Sequence, residues 1–330
     1  MERAPEVADV RARIIDNPRS YRGPYPVERV LPVFRTAGWD VDVVHRGGQR
    51  RAAEQVRDAL DAGCGLLIAA GGDGTLRDIA SALAGSAVPL AVLPGGTTNL
   101  WAHELDATGT PEAAARAIVT GEDRAMDLGR LTAADGGWLR FMLVAGFGID
   151  GLALERTDAR LKRRLGAIGI ALGALRAIPS YRPFRGRVRV DGIDAWEGTA
   201  AEVVVANTRR YANVIRVAPD AVADDGLLDV TIVPWGDPGA SARLAWALAA
   251  RGHPDGVAPR FRGAEVEIAA DADVPIEVDG TPVRRPRSPG TRSSYRVRAE
   301  PGALLVRVPR GDAGGLFGAP PQRPGVPGTS

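Results

Sequence analysis

The 330-residue sequence predicts an α/β domain with a parallel sheet, followed by a second, mainly antiparallel β domain. Short apolar runs alternate with helical patterns through about the first 130 residues. After about residue 132, short strand-like runs separated by Gly, Asp and Pro take over. The hydrophobic fraction of 45% is enough for two sizeable cores.

The first domain is predicted to contain four short apolar strands joined by helices. The strands are expected at 12–16, 40–44, 65–70 and 90–94. Apolar residues recur at helical spacing between the strands, and this alternation is typical of a parallel sheet with crossover helices. A later helix is expected to span 110–121, with Thr110 as its N-cap, Pro111 in its first turn and Gly121 as its end.

The second half is predicted to consist of short strands with helices inserted at roughly 152–178 and 238–251. The last apolar run, 303–309, has no partner nearby in the sequence and could join either domain. The segment 311–330 is rich in Gly and Pro, which predicts a disordered tail.

Composition excludes several classes of protein. The formal net charge of +2 is nearly balanced, and no nucleic-acid partner is predicted. The single Cys64 cannot form an intramolecular disulfide, which fits a reducing compartment. The first residues lack the apolar segment of a signal peptide, and the most apolar helical stretch, 165–178, is too short to span a bilayer. We therefore expect a cytoplasmic protein.

The stretch Gly71–Thr75, "GGDGT", joins a predicted strand to a predicted helix. Its glycines expose backbone N–H groups beside the positive end of the helix, and both suit phosphate oxygens. Asp73 could hold Mg²⁺ or accept a proton, and the Thr75 hydroxyl could bind a phosphate. The alternative is a structural turn in which Asp73 only caps the helix.

A second stretch, Gly95–Asn99, repeats this construction one strand later, and Asn17 and Ser20 follow the first strand in a similar way. Loops at the carboxyl ends of adjacent parallel strands form the ligand crevice of an open α/β sheet. Three such loops at successive strand ends predict a nucleotide site.

Other motifs carry less weight. Gly146–Gly151 satisfies G-x-G-x-x-G, but the acid of a dinucleotide site is missing about 20 residues later. There is no Walker motif, and the His and Cys residues lack metal-ligand spacing. The basic stretch 156–164 could lie on an anionic bilayer, or could be the solvated flank of a helix.

The order of these pieces resembles the diacylglycerol kinase catalytic family, in particular bacterial soluble lipid kinases of the YegS and DgkB type, which are related to sphingosine kinases. The resemblance is carried by "DNPRS", "AAGGDGTLRDIASAL", "LPGGTTNLWAHEL", "AMDLGRL", "FMLVAGFGIDG", "VVVANTRRYANVIRVAPDAVADDGLLDVTIV" and "VDG". It implies an α/β ATP-binding domain like that of NAD kinases and diacylglycerol kinases, then a β-sandwich lipid-substrate domain. We place these domains at 8–132 and 133–302, with a strand at 303–310 that returns towards the first domain and a disordered tail at 311–330.

The resemblance also implies ATP as substrate, Mg²⁺ as cofactor and a set of site residues. Those implied for the nucleotide are Asn17, Gly71, Gly72, Asp73, Gly74, Thr75, Gly96, Thr97 and Asn99. Asp127 would join a water and Mg²⁺ network near the nucleotide. A structural Mg²⁺ would be bound by the backbone of Val222 and Leu227 and the side chain of Asp225, since hard oxygen ligands suit this ion.

Two positions depart from the family pattern. Leu100 stands where relatives commonly have an acid, and Thr281 stands where many have the glutamate proposed as the base. Threonine cannot act as that base, whereas Asp73, Glu277 and Asp279 could. We predict Asp73 and Asp279 as the catalytic residues.

The resemblance implies a lipid kinase that transfers the γ-phosphoryl group of ATP to a lipid hydroxyl, with diacylglycerol as the first expectation. The lipid would enter from a membrane surface, with the protein peripheral on the inner face. One alternative is a nucleotide- or lipid-binding protein without transfer activity, which Leu100 and Thr281 favour. An NAD kinase is another, although "DDGLLDV" counts against it. Edge strands of the β domain leave homo-oligomerisation open.

Overall fold

A computed structural model describes residues 10–18, 27–46, 52–96, 98–107, 109–156, 181–211, 215–236, 258–283, 292–311 and 315–318. Thr97, Ser20, the helix predicted at 238–251 and most of the helix predicted at 152–178 lie outside these residues. The same is true of nearly all of the basic stretch 156–164.

The first domain contains the predicted parallel sheet. Its strands are β1 (Arg11–Asp16), β2 (Asp40–His45), β3 (Leu66–Gly71) and β4 (Leu90–Pro94), in the spatial order β4-β3-β1-β2. The helices are α1 (Val27–Thr36), α2 (Ala52–Asp61), α3 (Asp73–Leu83), α4 (Leu100–Glu104) and α5 (Pro111–Thr120). All four predicted strands are present, each with ends within a residue of the prediction.

Both faces of this sheet are buried. On one face, Phe34 of α1 and Ile118 of α5 pack with Ile14 of β1. On the other face, Val56 of α2 and Ile79 of α3 pack with the sheet. Coverage on both faces explains why the central strand β3 is apolar and buried throughout, whereas the edge strand β2 alternates charged and apolar residues.

The second domain is antiparallel. Its elements are β5 (Glu122–Ala133), β6 (Trp138–Phe141), β7 (Val144–Gly148), α6 (Ile149–Arg156), β8 (Phe184–Val190), β9 (Ile193–Ala206), β10 (Arg210–Tyr211), β11 (Ile215–Arg216), β12 (Leu228–Pro234), β13 (Arg260–Gly263), β14 (Glu265–Ala270), β15 (Ile276–Val278), β16 (Thr281–Pro282) and β17 (Ser293–Val308). Buried and exposed residues alternate strictly along β8, as expected for a strand with one face on a core. Residues 142 and 143 separate β6 from β7.

The longest strand, β17, joins the two domains. It pairs with β14 of the sandwich through residues 293–298, and with β5 along most of its length. Near its end, Val306 lies opposite Leu90 of β4 in a parallel pairing. The segment expected to be a separate strand at 303–310 is therefore the second half of one strand that begins at Ser293. An irregularity between Glu300 and Leu304 marks where the strand passes from one domain to the other.

Part of the predicted disordered tail is ordered. Leu316 is completely buried, and its carbonyl accepts a hydrogen bond from the Ala223 N–H at 2.9 Å. The Gly318 N–H donates to Asp224 Oδ1 at 2.7 Å. The prediction is wrong for residues 315–318, because the average composition of the tail hides one apolar side chain that fills the core.

Candidate active site between the two domains

Two glycine loops lie side by side at the carboxyl edge of the parallel sheet. The Gly95 N–H donates to the Gly71 carbonyl at 2.9 Å. A Cβ placed on Gly96 would lie 2.5 Å from the Cα of Gly72. Because the opposing atom belongs to the backbone, neither loop could yield, and the pairing requires glycine at both positions. The backbone of the two loops and the first turn of α3 therefore line the side of the loops where an anion is expected to bind.

Asn17 and Thr75 brace the first loop from within. The backbone N–H of Asn17 donates to the Ala70 carbonyl at 2.9 Å, and its Nδ2 donates to Thr75 Oγ1 at 2.7 Å. The side chain of Thr75 is buried, with 4% of the residue exposed, and a Cβ on Gly71 would lie only 2.9 Å from it. These contacts assign Asn17 and Thr75 to holding the shape of the loop. Asp73 is the first residue of α3 and is partly exposed.

Asn99 braces the second loop in a similar way. It adopts the left-handed conformation, with φ of 47°, immediately before α4. Its Oδ1 accepts from the Gly96 N–H at 2.7 Å, and its Nδ2 donates to the Gly96 carbonyl at 3.1 Å. Leu100, the departure from the family pattern, is buried in the core.

The hairpin formed by β15 and β16 lies against the first turn of α3. A Cβ on Gly74 would lie 3.2 Å from Thr281 Oγ1, and Arg77 Nη1 donates to the Val278 carbonyl at 3.1 Å. The second domain therefore reaches the N-terminal end of α3 through Thr281. This contact makes the cleft between the domains the candidate active site.

Asp279 lies in this hairpin, and both oxygens of its carboxylate accept hydrogen bonds from the backbone. Its carboxylate accepts hydrogen bonds from the backbone N–H groups of Met142 at 2.9 Å, Leu143 at 2.9 Å and Val144 at 3.0 Å, and 2% of the residue is exposed. Burial raises the pKa of Asp279, while these donors oppose that rise. The structure contradicts the prediction that Asp279 acts as the base, because the carboxylate closes the gap between β6 and β7 and faces no solvent.

A cluster of acidic side chains, which we call the acid cluster, lies behind the hairpin and consists of Asp150, Glu202 and Glu277. Glu277 is 1% exposed, and its Oε2 accepts from the Gly280 N–H at 2.7 Å. Its Oε1 accepts from the Tyr211 hydroxyl at 3.2 Å. Glu202 Oε2 accepts from the Asp150 N–H at 3.1 Å at the start of α6.

Burial and mutual repulsion raise the pKa values in the acid cluster. Burial is the main cause in each case. Neighbouring carboxylates add to it for Glu202 and Glu277, whereas for Asp150 a hydrogen bond from Tyr211 opposes it. The pKa of Glu277 rises to about 8, and that of Glu202 lies well above its usual range. Sequence reasoning named Glu277 only as a possible base and missed the other two, since they come from separate elements.

The acid cluster explains the G-x-G-x-x-G motif. A Cβ on Gly146 would lie 3.0 Å from Glu202 Oε1 and 3.2 Å from Glu277 Oε1. Gly148 has φ of 145°, a conformation that side chains rarely adopt. These glycines make room for buried carboxylates, which supports the rejection of a dinucleotide site here.

Asp127, predicted to join a Mg²⁺ network, tethers two loops. Its Oδ2 accepts from the Gly226 N–H at 2.6 Å and its Oδ1 from the Gly302 N–H at 2.7 Å. Burial raises the pKa of this carboxyl against those two bonds. Asp127 therefore holds the loop 222–227 in place, and its part in a Mg²⁺ network stays a prediction.

The loop 222–227 itself suits a hard cation. Asp225 is exposed, and its Oδ1 accepts from the Leu227 N–H at 3.0 Å within the same loop. Its other oxygen lies 3.7 Å from Arg262 Nη1. One exposed carboxylate beside the backbone carbonyls of Val222 and Leu227 is a donor set that fits Mg²⁺. Within the described ranges, no group of three His, Cys, Asp or Glu side chains could hold a metal, a result that does not bear on a site built mainly from carbonyls.

Comparison with known proteins agrees with this geometry. Residues 11–131 match the diacylglycerol kinase catalytic domain, and residues 143–308 match the YegS C-terminal NAD kinase beta sandwich-like domain. A protein of Pseudomonas fluorescens named "Probable lipid kinase YegS-like" is 35% identical over 285 residues, which cover 86% of this chain and 90% of that protein. A Pseudomonas aeruginosa protein of the same name is 34% identical, covering 90% and 93% of the two chains.

The chain belongs to the YegS-like lipid kinase family. Its fold is that of the family's solved structures: a diacylglycerol kinase from Bacillus anthracis superimposes with a TM-score of 0.70 at 20% identity, covering 92% of this chain and 98% of that one. An NAD kinase from Archaeoglobus fulgidus shares the fold more distantly, with a TM-score of 0.51 at 13% identity over 92% and 95% of the chains. No helix among the described residues is long and apolar enough to cross a membrane.

Proposed function

We propose that this lipid kinase transfers the γ-phosphoryl group of ATP to a lipid hydroxyl, with diacylglycerol as the first acceptor to test. The main support for this proposal is that the paired glycine loops, the start of α3 and the β15–β16 hairpin lie next to one another. The loops belong to the domain matched by the diacylglycerol kinase model, and the hairpin belongs to the sandwich.

In this proposal the protein contributes positioning and charge. The backbone of Gly71–Gly74 and Gly96 and the first turn of α3 bind the phosphate chain, because both present N–H groups to an anion. Bound Mg²⁺, held by Asp73, would neutralise the phosphate charge that develops during transfer. Asn17, Thr75 and Asn99 keep the two loops in register through the contacts described above.

We further propose a structural Mg²⁺ at the loop 222–227, bound by the carbonyls of Val222 and Leu227 and the carboxylate of Asp225. The support is the exposed carboxylate on a loop that Asp127 already tethers. The ion would offset the repulsion between Asp225 and Asp229.

The acceptor is proposed to reach the cleft from the inner membrane surface, with the protein bound there peripherally. A lipid hydroxyl is held near the bilayer interface, so a lipid kinase must approach that interface to reach it. Association with a second copy through sandwich edge strands is compatible with this arrangement.

The second candidate is a family member that binds nucleotide or lipid without transfer. Leu100 is buried where relatives have an acid, and Thr281 occupies the position beside Gly74 where a carboxylate would stand. NAD kinase activity has less support, because the similarity to NAD kinases is one of fold alone.

The test is phosphate transfer from labelled ATP with Mg²⁺ into mixed micelles of total lipid extract. We expect a labelled lipid with the wild type and none with Asp73→Asn. Asp78→Asn is a matched control, because Asp78 lies on the same helix but pairs with Arg46 at 2.6 Å. ATP binding by calorimetry without any labelled lipid would contradict the kinase and favour the second candidate.

A further inference from the structure

A lipid kinase needs a group that accepts the proton of the acceptor hydroxyl. In the proposed function Asp73 holds Mg²⁺, and the hairpin position next to the phosphate loop does not supply a base. Thr281 Oγ1 stands there, 3.2 Å from where a Cβ of Gly74 would lie. A threonine hydroxyl is too weak a base for this role at neutral pH. Asp279 is excluded because three backbone donors occupy its buried carboxylate.

Glu277 lies on the same hairpin as Thr281. The two-residue turn Asp279–Gly280 joins Val278 to Thr281, and the Gly280 N–H of that turn donates to Glu277 Oε2 at 2.7 Å. The Glu277 carboxylate therefore lies at the turn that leads into Thr281, although it is buried in the sandwich. Its only link towards the cleft in the described contacts is the hydroxyl of Tyr211, at 3.2 Å from Oε1.

Tyr211 makes contacts with both domains. Its partly buried ring packs against the hydrophobic cluster that contains Leu76 of α3 and Trp101 of α4. Its hydroxyl bonds to Glu277 and also to Asp150. Since α3 and α4 each follow a glycine loop, Tyr211 lies between the nucleotide side of the cleft and the acid cluster.

One carboxylate oxygen of the acid cluster lacks a hydrogen-bond partner among the described residues. Glu202 is 3% exposed, and its Oε1 has no hydrogen-bond partner among the described residues. This oxygen is directed at Gly146, where a Cβ would lie 3.0 Å away. Glu202 and Glu277 are buried and Asp150 is partly buried beside them, and burial raises the pKa of each carboxyl group, so we expect the cluster to hold a proton that it can exchange.

We propose, resting on the proposed function, that Tyr211 and Glu277 carry away the proton of the acceptor hydroxyl in this chain, in place of a carboxylate at position 281. The acceptor proton passes to the Tyr211 hydroxyl oxygen while the proton of Tyr211 passes to Glu277 Oε1. The acceptor oxygen forms its bond to the γ-phosphorus as the bond from that phosphorus to the β–γ bridging oxygen breaks. ADP leaves, and Glu277 later returns the proton to solvent.

The charged and titratable groups around Glu277 determine the pH at which this relay works. They are Tyr211 from β10, Glu202 from β9, Asp150 from α6, Asp279 from the same hairpin and Arg77 from α3. The carboxylates oppose ionisation of Glu277, and burial raises its pKa to about 8. We therefore expect the transfer rate to rise with pH through an apparent pKa near 8, which belongs to the cluster as a whole.

The experiment measures kcat and KM for lipid phosphorylation by the full chain between about pH 6 and pH 9.5. Glu277→Gln should lower kcat by about 100-fold or more, as expected for loss of a general base, and leave the KM for ATP within about threefold. Tyr211→Phe, which keeps the ring, should lower kcat in the same way. Thr281→Glu placed in the Glu277→Gln background should restore kcat by at least about tenfold and move the rising limb of the profile to lower pH, because a carboxylate there is less buried.

Glu197→Gln is the control on the strand that carries Glu202. Glu197 lies in β9 but is exposed and pairs with Arg185 and Arg187, not with the acid cluster. Its replacement should leave both kcat and the pH profile unchanged.

Two results would overturn the relay in distinguishable ways. Unchanged kcat and pH profile in both Glu277→Gln and Tyr211→Phe would refute the relay while the kinase stands. Wild type that binds ATP but phosphorylates no lipid would refute the proposed function, and the relay would be refuted with it. Circular dichroism identifies a Glu277→Gln variant that has lost activity because it is misfolded. Thr281→Glu would not restore activity in such a variant, and the absence of rescue also counts against the relay.

Discussion

At Asp127 and Asp279, a buried carboxylate serves as an acceptor for backbone N–H groups of segments distant in sequence. Asp127 joins β5 to the turns at Gly226 and Gly302, and Asp279 joins the β15–β16 hairpin to the gap between β6 and β7. Each residue stabilises an irregular point of the sheet where no strand partner is available. Glu277 differs, because one of its partners is a hydroxyl that can exchange a proton.

Replacing Asp127 with Asn should destabilise the protein by about 1–3 kcal/mol, because one of the two backbone donors would then face an amide NH₂ group. Urea unfolding gives this number. Asp123→Asn is the control on the same strand: Asp123 pairs with Arg307 at a half-exposed position, so its loss should cost less than about 1 kcal/mol. Equal losses in both variants would contradict the structural role of Asp127.

Glu277 should make stability depend on pH. Its pKa is about 8 in the folded protein against an ordinary value of 4.5, so the folded state keeps a proton that the unfolded state releases between these values. Stability should therefore fall as pH rises from about 4.5 to about 8 and level off above that. Urea unfolding at several pH values should show a shallower fall in Glu277→Gln, and a higher stability than wild type near pH 8. Parallel curves for the two proteins would show that the pKa is not raised.

Among the elements, the paired glycine loops determine where an anion can bind. Gly72 and Gly96 bring two strand ends so close that backbone touches backbone. The helices that follow, α3 and α4, begin directly after these loops and are packed in one core cluster. The loops are therefore held by the same core that holds the sheet.

Gly96→Ala should separate the two loops, because its Cβ would lie 2.5 Å from the Cα of Gly72 and no side chain could move aside. We expect ATP affinity to fall by about tenfold or more, which is a loss of about 1.4 kcal/mol of binding free energy. Calorimetric titration with ATP measures it. Gly65→Ala, where the nearest atom would be 3.9 Å away, should bind ATP like the wild type. Unchanged binding by Gly96→Ala would mean that the phosphates bind elsewhere.

At the scale of the whole molecule, β17 makes one unit of the two domains. A single strand pairs with β14 in the sandwich and reaches β4 of the parallel sheet at Val306. One core cluster also contains residues of both domains, among them Leu67, Ile79, Leu143 and Val204. Separation of the domains would expose this shared core.

We therefore expect one cooperative unfolding transition, with equal calorimetric and van't Hoff enthalpies. Val306→Ala should lower the midpoint of the whole transition, because Val306 is completely buried at the junction and its truncation costs about 1–3 kcal/mol. Ile193→Ala, at a position 72% exposed, should leave the midpoint unchanged. Two resolved transitions, of which only one moves in Val306→Ala, would show that the domains unfold independently.

The sequence by itself determined the parallel sheet, its helices and the two glycine loops. Alternating apolar strands and helices have distinct periods, and α5 with its Thr110 cap follows the prediction closely. Loops at neighbouring strand ends must meet at one edge, so the nucleotide side of the cleft could also be inferred. These features depend on contacts that are local or repeated along the chain.

Only the tertiary structure decided how carboxylates are used. Asp279, which stands in a motif, is buried under three backbone donors, whereas Glu277, Glu202 and Asp150 come from three separate elements and meet behind it. It also decided that 293–308 is one strand shared by both domains and that Leu316 of the tail is buried. The physical reason is that burial and hydrogen-bond partners of a side chain depend on segments far away in sequence, which no local pattern of residue types encodes.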